Sequence, residues 1–197
     1  MKIIWIALSM FMVGCTVTKP HVTEYTLSPN VKNQEQKAHS CKTKSLKVGQ
    51  VFSSNSLMTQ KMKYIEVEYR ESAFTQSKWA RTPNRAISDE LVKSIRNSTL
   101  FANVSSFKSR AKSDLVLETN VEKFMQYFDE DGEKSYVEVV VTMNLLNAKD
   151  SKIVSSFTSS ISVDTLSADA KGGVVALNSA LSQVLLQTNE WLAKVCK

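Results

Sequence analysis

Apolar and polar residues alternate along most of the chain beyond residue 45, and the period of alternation changes from two to nearly four and back. Period two marks a strand with one buried face, and a period near 3.6 marks an amphipathic helix. Leu46 to Phe52 reads as a first strand, Met62 to Tyr69 as a second and Ala73 to Trp79 as a third, with Asn55 to Gln60 as a connection. Thr82-Pro83 then signals a helix start, with Thr as N-cap and Pro at the first helical position. Ile87, Leu91 and Ile95, with Val92, form its apolar stripe, and the helix should end near Ser98. After a short apolar segment, Phe101 to Val104, the alternation returns in three long runs. Leu115, Leu117, Thr119 and Val121 lead one that reaches about Phe128; Val137, Val139, Val141, Met143 and Leu145 form the second; Ile153, Phe157, Ile161 and Val163 form the third. Asp129-Glu130-Asp131-Gly132 and Asn147 to Lys152 separate them as polar turns, so the three read as an antiparallel meander.

From about Gly173 the pattern is helical to the end of the chain. Val174, Leu177, Leu181, Val184, Thr188, Trp191 and Val195 are spaced alternately three and four apart, as in a coiled-coil seam. Leu185 and Leu192 widen the stripe, which favours a helix packed on a sheet over a coiled coil. Gln183 and Asn189 then fall on its polar face. The predicted fold class is α/β of the α+β kind: a mainly antiparallel sheet with a long-stranded meander, its apolar face covered by two amphipathic helices.

The start of the chain follows another pattern. Lys2 precedes an apolar run from Ile3 to Val13, broken only by Ser9, which reads as the two leading regions of an export signal. About 11 residues at ~1.5 Å rise cannot span a hydrocarbon core of about 30 Å. The run ends in Met12-Val13-Gly14-Cys15, the order of a bacterial lipobox, where a small residue admits the peptidase and the new N-terminal thiol carries lipid. Residues 1–14 are therefore predicted to be a lipoprotein signal peptide and Cys15 the lipidation site. The covalent lipid on Cys15 is the one attached group expected. The chain should sit lipid-anchored on the periplasmic side of the envelope. Thr16, in place of an Asp after the cysteine, points to the outer membrane.

Residues 15–44, with Pro20, Pro29 and many polar residues, read as a flexible tether, and residues 45–197 as one periplasmic domain. The formal charge of +6 falls to +5 without Lys2, and its lysines and arginines are dispersed, so nucleic acid is a poor partner and an anionic bilayer surface a reasonable neighbour. Cys41 and Cys196 remain after lipidation. In an oxidising compartment they are candidates for one disulfide tying the start of the domain to its end; two free thiols are the alternative.

Catalytic signatures are missing. Both histidines, His21 and His39, lie in the tether, which leaves no Ser-His-Asp or Cys-His arrangement for the domain. The sequence has no Gly-x-Ser-x-Gly, no Cys-x-x-Cys and no glycine-rich phosphate loop. Asp129-Glu130-Asp131 and Glu133 lack the spacing of a calcium loop, which runs through about twelve residues, so they read as a solvated turn and no metal site is predicted. The expectation is a protein without catalytic residues, cofactor or metal.

After the lipobox come Tyr25-x-Leu27, Leu46-x-Val48, Tyr64 and Tyr69, Trp79-Ala80-x-x-Pro83, Ile87, Leu91 and Ile95, Phe101-x-x-Val104 and Asp114-x-x-Leu117. This ordered set resembles the ABC-type transport auxiliary lipoproteins, the paraquat-inducible protein C-like family. The long tether and the pair Cys41 and Cys196 depart from the family's usual pattern. The resemblance implies a sheet covered by helices. It also implies an accessory role beside an MCE-domain protein and an ABC permease and ATPase that move lipids or other hydrophobic molecules across the envelope. A homo-oligomer is compatible with it. Trp79 and Pro83 are its motif residues, and the size of Trp79 suits a core anchor. Two other functions stand beside it: a carrier with an acyl-chain cavity between meander and helices, and an adaptor or regulator of another periplasmic machine.

Overall fold

The computed structural model describes residues 20–31, 40–67 and 70–197. The predicted signal peptide and Cys15 lie outside the described residues. Eight strands form one sheet: β1 (Thr23–Tyr25), β2 (Ser45–Ser53), β3 (Lys61–Ile65), β4 (Glu71–Trp79), β5 (Asn103–Ser106), β6 (Leu115–Phe128), β7 (Ser135–Asn147) and β8 (Ile153–Asp164). Among the described residues two α-helices, α1 (Pro83–Asn97) and α2 (Ala170–Val195), accompany it.

The sheet is organised around β6. Along one edge it pairs antiparallel with β7, which pairs antiparallel with β8. Along its other edge it takes two partners end to end, β2 beside Leu115 to Val121 and β3 beside Gln126 and Tyr127, both parallel. β5 extends the sheet from β2; β4 and then β1 extend it from β3. The meander is the antiparallel body of the sheet, as its alternation and short turns require.

Alternation decides which face is covered. Val137, Val139, Val141, Met143 and Leu145 of β7 are fully buried, and α2 packs on β7 and β8 while α1 packs on β2 and β5. On β6 the parity breaks. Leu115, Leu117, Thr119 and Val121 face the helices, but a bulge at Glu122 places both Glu122 and Lys123 outside, and Phe124 and Gln126 then face inward. The bulge turns a strand too long for one flat register and keeps two consecutive charges in water.

Several boundaries differ from the sequence reading. Within the stretch read as a tether, Thr23–Tyr25 pairs parallel with Ser77–Trp79, and Leu27 is buried. Tyr25 and Leu27 gain a free edge of β4 and the flank of α2, where the amide of Asn178 receives the Ser28 N–H at 2.6 Å. α2 begins at Ala170, not Gly173, because Asp169 caps it by accepting from the Gly172 N–H at 2.7 Å. Positions 172 and 173 are glycine for a local reason: a Cβ on the first would strike the carbonyl of Ser167, and one on the second the amide of Gln126. Asn189 does not lie on a polar face. It is buried and donates to Ser94 Oγ of α1 at 2.9 Å.

Candidate functional site

The structure joins Cys41 to Cys196 by a disulfide, with Cα atoms 5.2 Å apart at a sequence separation of 155. Both cysteines are buried, and the Ser40 N–H donates to the Cys196 carbonyl at 3.1 Å beside them. Trp79, the last residue of β4, is buried with its ring centroid 6.3 Å from that of Phe124. Pro83, at the first turn of α1, shares that region with Leu177 of α2. The space left among these residues is only about 10 Å³.

The turn at Asp129 to Gly132 is exposed, with Gly132 at φ +69° and the Lys134 N–H held by Asp129 at 3.1 Å. His21 is exposed just before β1. Among the described residues no group of three or more His, Cys, Asp or Glu side chains is placed to hold a metal ion. Among them, too, no helix is long and apolar enough to cross a membrane.

Two of the exposed surfaces have features that suit binding. The first is the outer face of the meander. There Thr142 donates to Glu122 at 2.6 Å and lies 3.1 Å from Thr158, Ser156 donates to Asn144 at 2.7 Å, and Lys123 pairs with Glu138 at 2.9 Å. The ion pair raises the Lys123 pKa, chiefly through its hydrogen bond to Glu138. This face ends at β8, whose second edge has no strand beside it among the described residues. From Ile153 to Val163 that edge carries no charge and no proline. Natural sheets usually protect a long edge with such residues. This one leaves its backbone donors and acceptors ready for an added strand.

The second surface is a cleft of about 280 Å³ between the start of α1, β2 and the segment after β5. Arg81, Arg85 and Lys108 line it, and Arg81 is paired with Asp89. Asn84, on the floor, is only 7% exposed; it has no hydrogen-bond partner for its side-chain oxygen. No isolated sequence signal marks this site beyond the pair of arginines flanking Pro83, because Lys108 arrives from a loop more than twenty residues away.

A clamp at the start of the domain holds β2 to β6. Ser45 donates its N–H and its hydroxyl to the Asp114 carboxylate, both at 2.7 Å, and the Asp114 N–H returns a bond to Ser45 Oγ at 3.0 Å. These bonds, the backbone one first, lower the Asp114 pKa.

Residues 25–188 match the model of a family described as the ABC-type transport auxiliary lipoprotein component. The chain belongs to this family. Among solved structures, protein XCC0632 from Xanthomonas campestris superposes with a TM-score of 0.79 at 18% identity, over 88% of this chain and 96% of that one. An uncharacterized protein superposes with a TM-score of 0.62 at 15% identity, over 88% and 97%. The PelC dodecamer from Paraburkholderia phytofirmans is more distant, with a TM-score of 0.45 at 14% identity, over 75% and 89%. At these identities the first two solved structures establish the shared fold. No curated protein matches the chain. Auxiliary lipoproteins of this family serve ABC-type transport, and Asp114, Trp79 and Pro83 of the sequence motif occupy structural positions here: a strand clamp, a core anchor and a helix start.

Proposed function

We propose that this chain is a non-catalytic accessory subunit of an MCE-type ABC transport assembly that moves lipids or other hydrophobic molecules. Lipid on Cys15 anchors it to the outer membrane, and its domain lies in the periplasm. It acts by holding other components in place through the open face and free edge of the meander.

The packing of the inner face carries this reading. Sites that enclose a ligand the size of a drug or a lipid occupy roughly 300–1,000 Å³. Between sheet and helices, around Trp79, Phe124 and Leu177, about 10 Å³ is left. A carrier needs an acyl-chain cavity there, and Leu181, Leu185 and Leu192, which are almost wholly buried, occupy that layer. The interior therefore serves stability, and β8 is left for contact. An unpaired edge, free of charge from Ile153 to Val163, favours a partner that adds an extended segment by backbone hydrogen bonds.

The test is affinity purification of the full chain from detergent-solubilised membranes, with native mass spectrometry of the same preparation. Co-purification of an MCE-domain protein or the permease and ATPase, with no lipid bound beyond the anchor, is the expected result. Retention of a stoichiometric free lipid without those partners would establish the carrier instead. Intact-mass analysis that found Cys15 unmodified would remove the anchor from this account.

A further inference from the structure

We propose that the cleft at the start of α1 binds a phosphate ester whose substituent carries a hydrogen-bond donor, such as a hydroxyl or an ammonium group. The proposal stands apart from the accessory role. It rests on what the cleft leaves unsatisfied.

Charge comes first. Arg81, Arg85 and Lys108 converge on one space of about 280 Å³, and Asp89 neutralises Arg81 alone. Arg85 has no ion-pair partner among the described residues. The cleft thus presents a guanidinium and an ammonium to any anion that enters, and a guanidinium fork suits two phosphate oxygens. Helix direction adds to this. Thr82 is the N-cap of α1, but its side chain makes no capping bond, so the positive end of a 15-residue helix is left without its usual hydroxyl acceptor.

The second observation is Asn84. The residue is more than nine-tenths buried and lines the cleft, and its side-chain oxygen has no hydrogen-bond partner among the described residues. Buried amides are nearly always bonded. Whichever way the amide is turned, it offers one acceptor oxygen and one donor group. A bare anion satisfies the donor alone. A phosphate ester with an N–H or O–H close to the phosphorus satisfies both: phosphate oxygens meet Arg85, Lys108 and the amide nitrogen, and the substituent donates to the amide oxygen. Phe107, exposed beside Lys108, gives the carbon linker an apolar wall. The cleft is too small for a whole diacyl lipid, so it would hold a headgroup or a free ester.

Isothermal titration of the detergent-solubilised full chain tests this with three probes. Phosphoethanolamine has the donor, and phosphocholine lacks it. Lysophosphatidylethanolamine carries the same donor in a micelle. Phosphoethanolamine should bind at least about tenfold more tightly than phosphocholine, because only the first satisfies the buried oxygen. Binding of the lyso lipid alone would identify the source as a membrane headgroup, and binding of both as the shared ester. Arg85→Glu should weaken binding at least about tenfold, as removal of a charge partner does. Asn84→Asp places a carboxylate where the phosphate sits, so it should abolish binding. Its circular dichroism and cooperative melt, recorded beside the titration, separate lost binding from lost folding. Lys149→Glu, on another surface, should bind as the wild type does. Equal affinity for phosphocholine, wild-type binding by Arg85→Glu, or no binding of any probe would overturn the proposal.

Discussion

The amide of Asn189 in α2 donates to the hydroxyl of Ser94 in α1 across 2.9 Å, in a contact closed to solvent. Each helix covers a different part of the sheet, α1 over β2 and β5 and α2 over β7 and β8. The bond therefore links the two halves of the inner layer. Asn189→Ala should remove it, leave Ser94 without that partner and open a small cavity. A loss of about 1–3 kcal/mol is expected, read as a lower denaturant midpoint at unchanged slope. Gln183→Ala, at an exposed position of the same helix, should stay within about 0.5 kcal/mol of wild type.

Asp169 supplies a pH-dependent contribution. Its carboxylate accepts from the Gly172 N–H at 2.7 Å and from Ser167 Oγ at 2.9 Å, and these bonds, the backbone one first, lower its pKa. A folded pKa below the unfolded one stabilises the fold above the unfolded value, near 4. That stability is lost as pH falls through the folded pKa. Asp169→Ala should cost about 1 kcal/mol at neutral pH, and the gap between variant and wild type should close in acid. Paired thermal melts at pH 7 and pH 3 measure it; a constant gap would show that the carboxylate's charge is not what caps α2.

The disulfide between Cys41 and Cys196 closes a loop of 155 residues. Chain-entropy models assign such a loop about 5 kcal/mol, the upper end of what disulfides contribute. Both sulfurs are shielded in the folded domain, so thiol reagents should label neither cysteine before denaturation and reduction. After reduction the melting temperature should fall while the circular dichroism of sheet and helices persists, because the core does not depend on the link. Labelling of both positions in denatured, unreduced protein would show two free thiols.

Leu181 is fully buried against the sheet. Leu181→Asp would place a carboxylate there without a partner, at a cost of several kcal/mol in a domain with about 5–15 kcal/mol to lose. Loss of the cooperative melt is expected. A variant that kept the wild-type melting temperature but no longer assembled would place the α2 seam at an interface between chains.

How much of this was legible in the sequence follows from the range of each interaction. Thr82-Pro83 and the stripe of Ile87, Leu91 and Ile95 define α1 within a few residues, because capping and helical periodicity are local. The meander was equally plain, since its partners are neighbours in sequence. Parallel pairing of β2 with β6 was not, because alternation in Leu46, Val48 and Leu117 tells which face is buried and not which strand lies beside it. The bulge at Glu122 escaped because the alternation continues on both sides of it with inverted parity. Thr23–Tyr25 was too short for its own period and gains strand structure from the edge of β4. Asn189 looked like a polar-face residue because the contact with Ser94 depends on where α1 crosses α2. The cleft combines residues from a helix start and a distant loop, so no single motif marks it.

Photocrosslinking in intact cells tests the docking account most directly. The full lipidated chain would carry p-benzoylphenylalanine either at Thr158, on the outer side of β8, or at Gln183, on the exposed side of α2. The account predicts that Thr158 captures an MCE-domain protein or a permease subunit, identified by mass spectrometry, and that Gln183 captures neither. Capture of these partners from Gln183 with none from Thr158 would contradict it and move the docking surface to the helices.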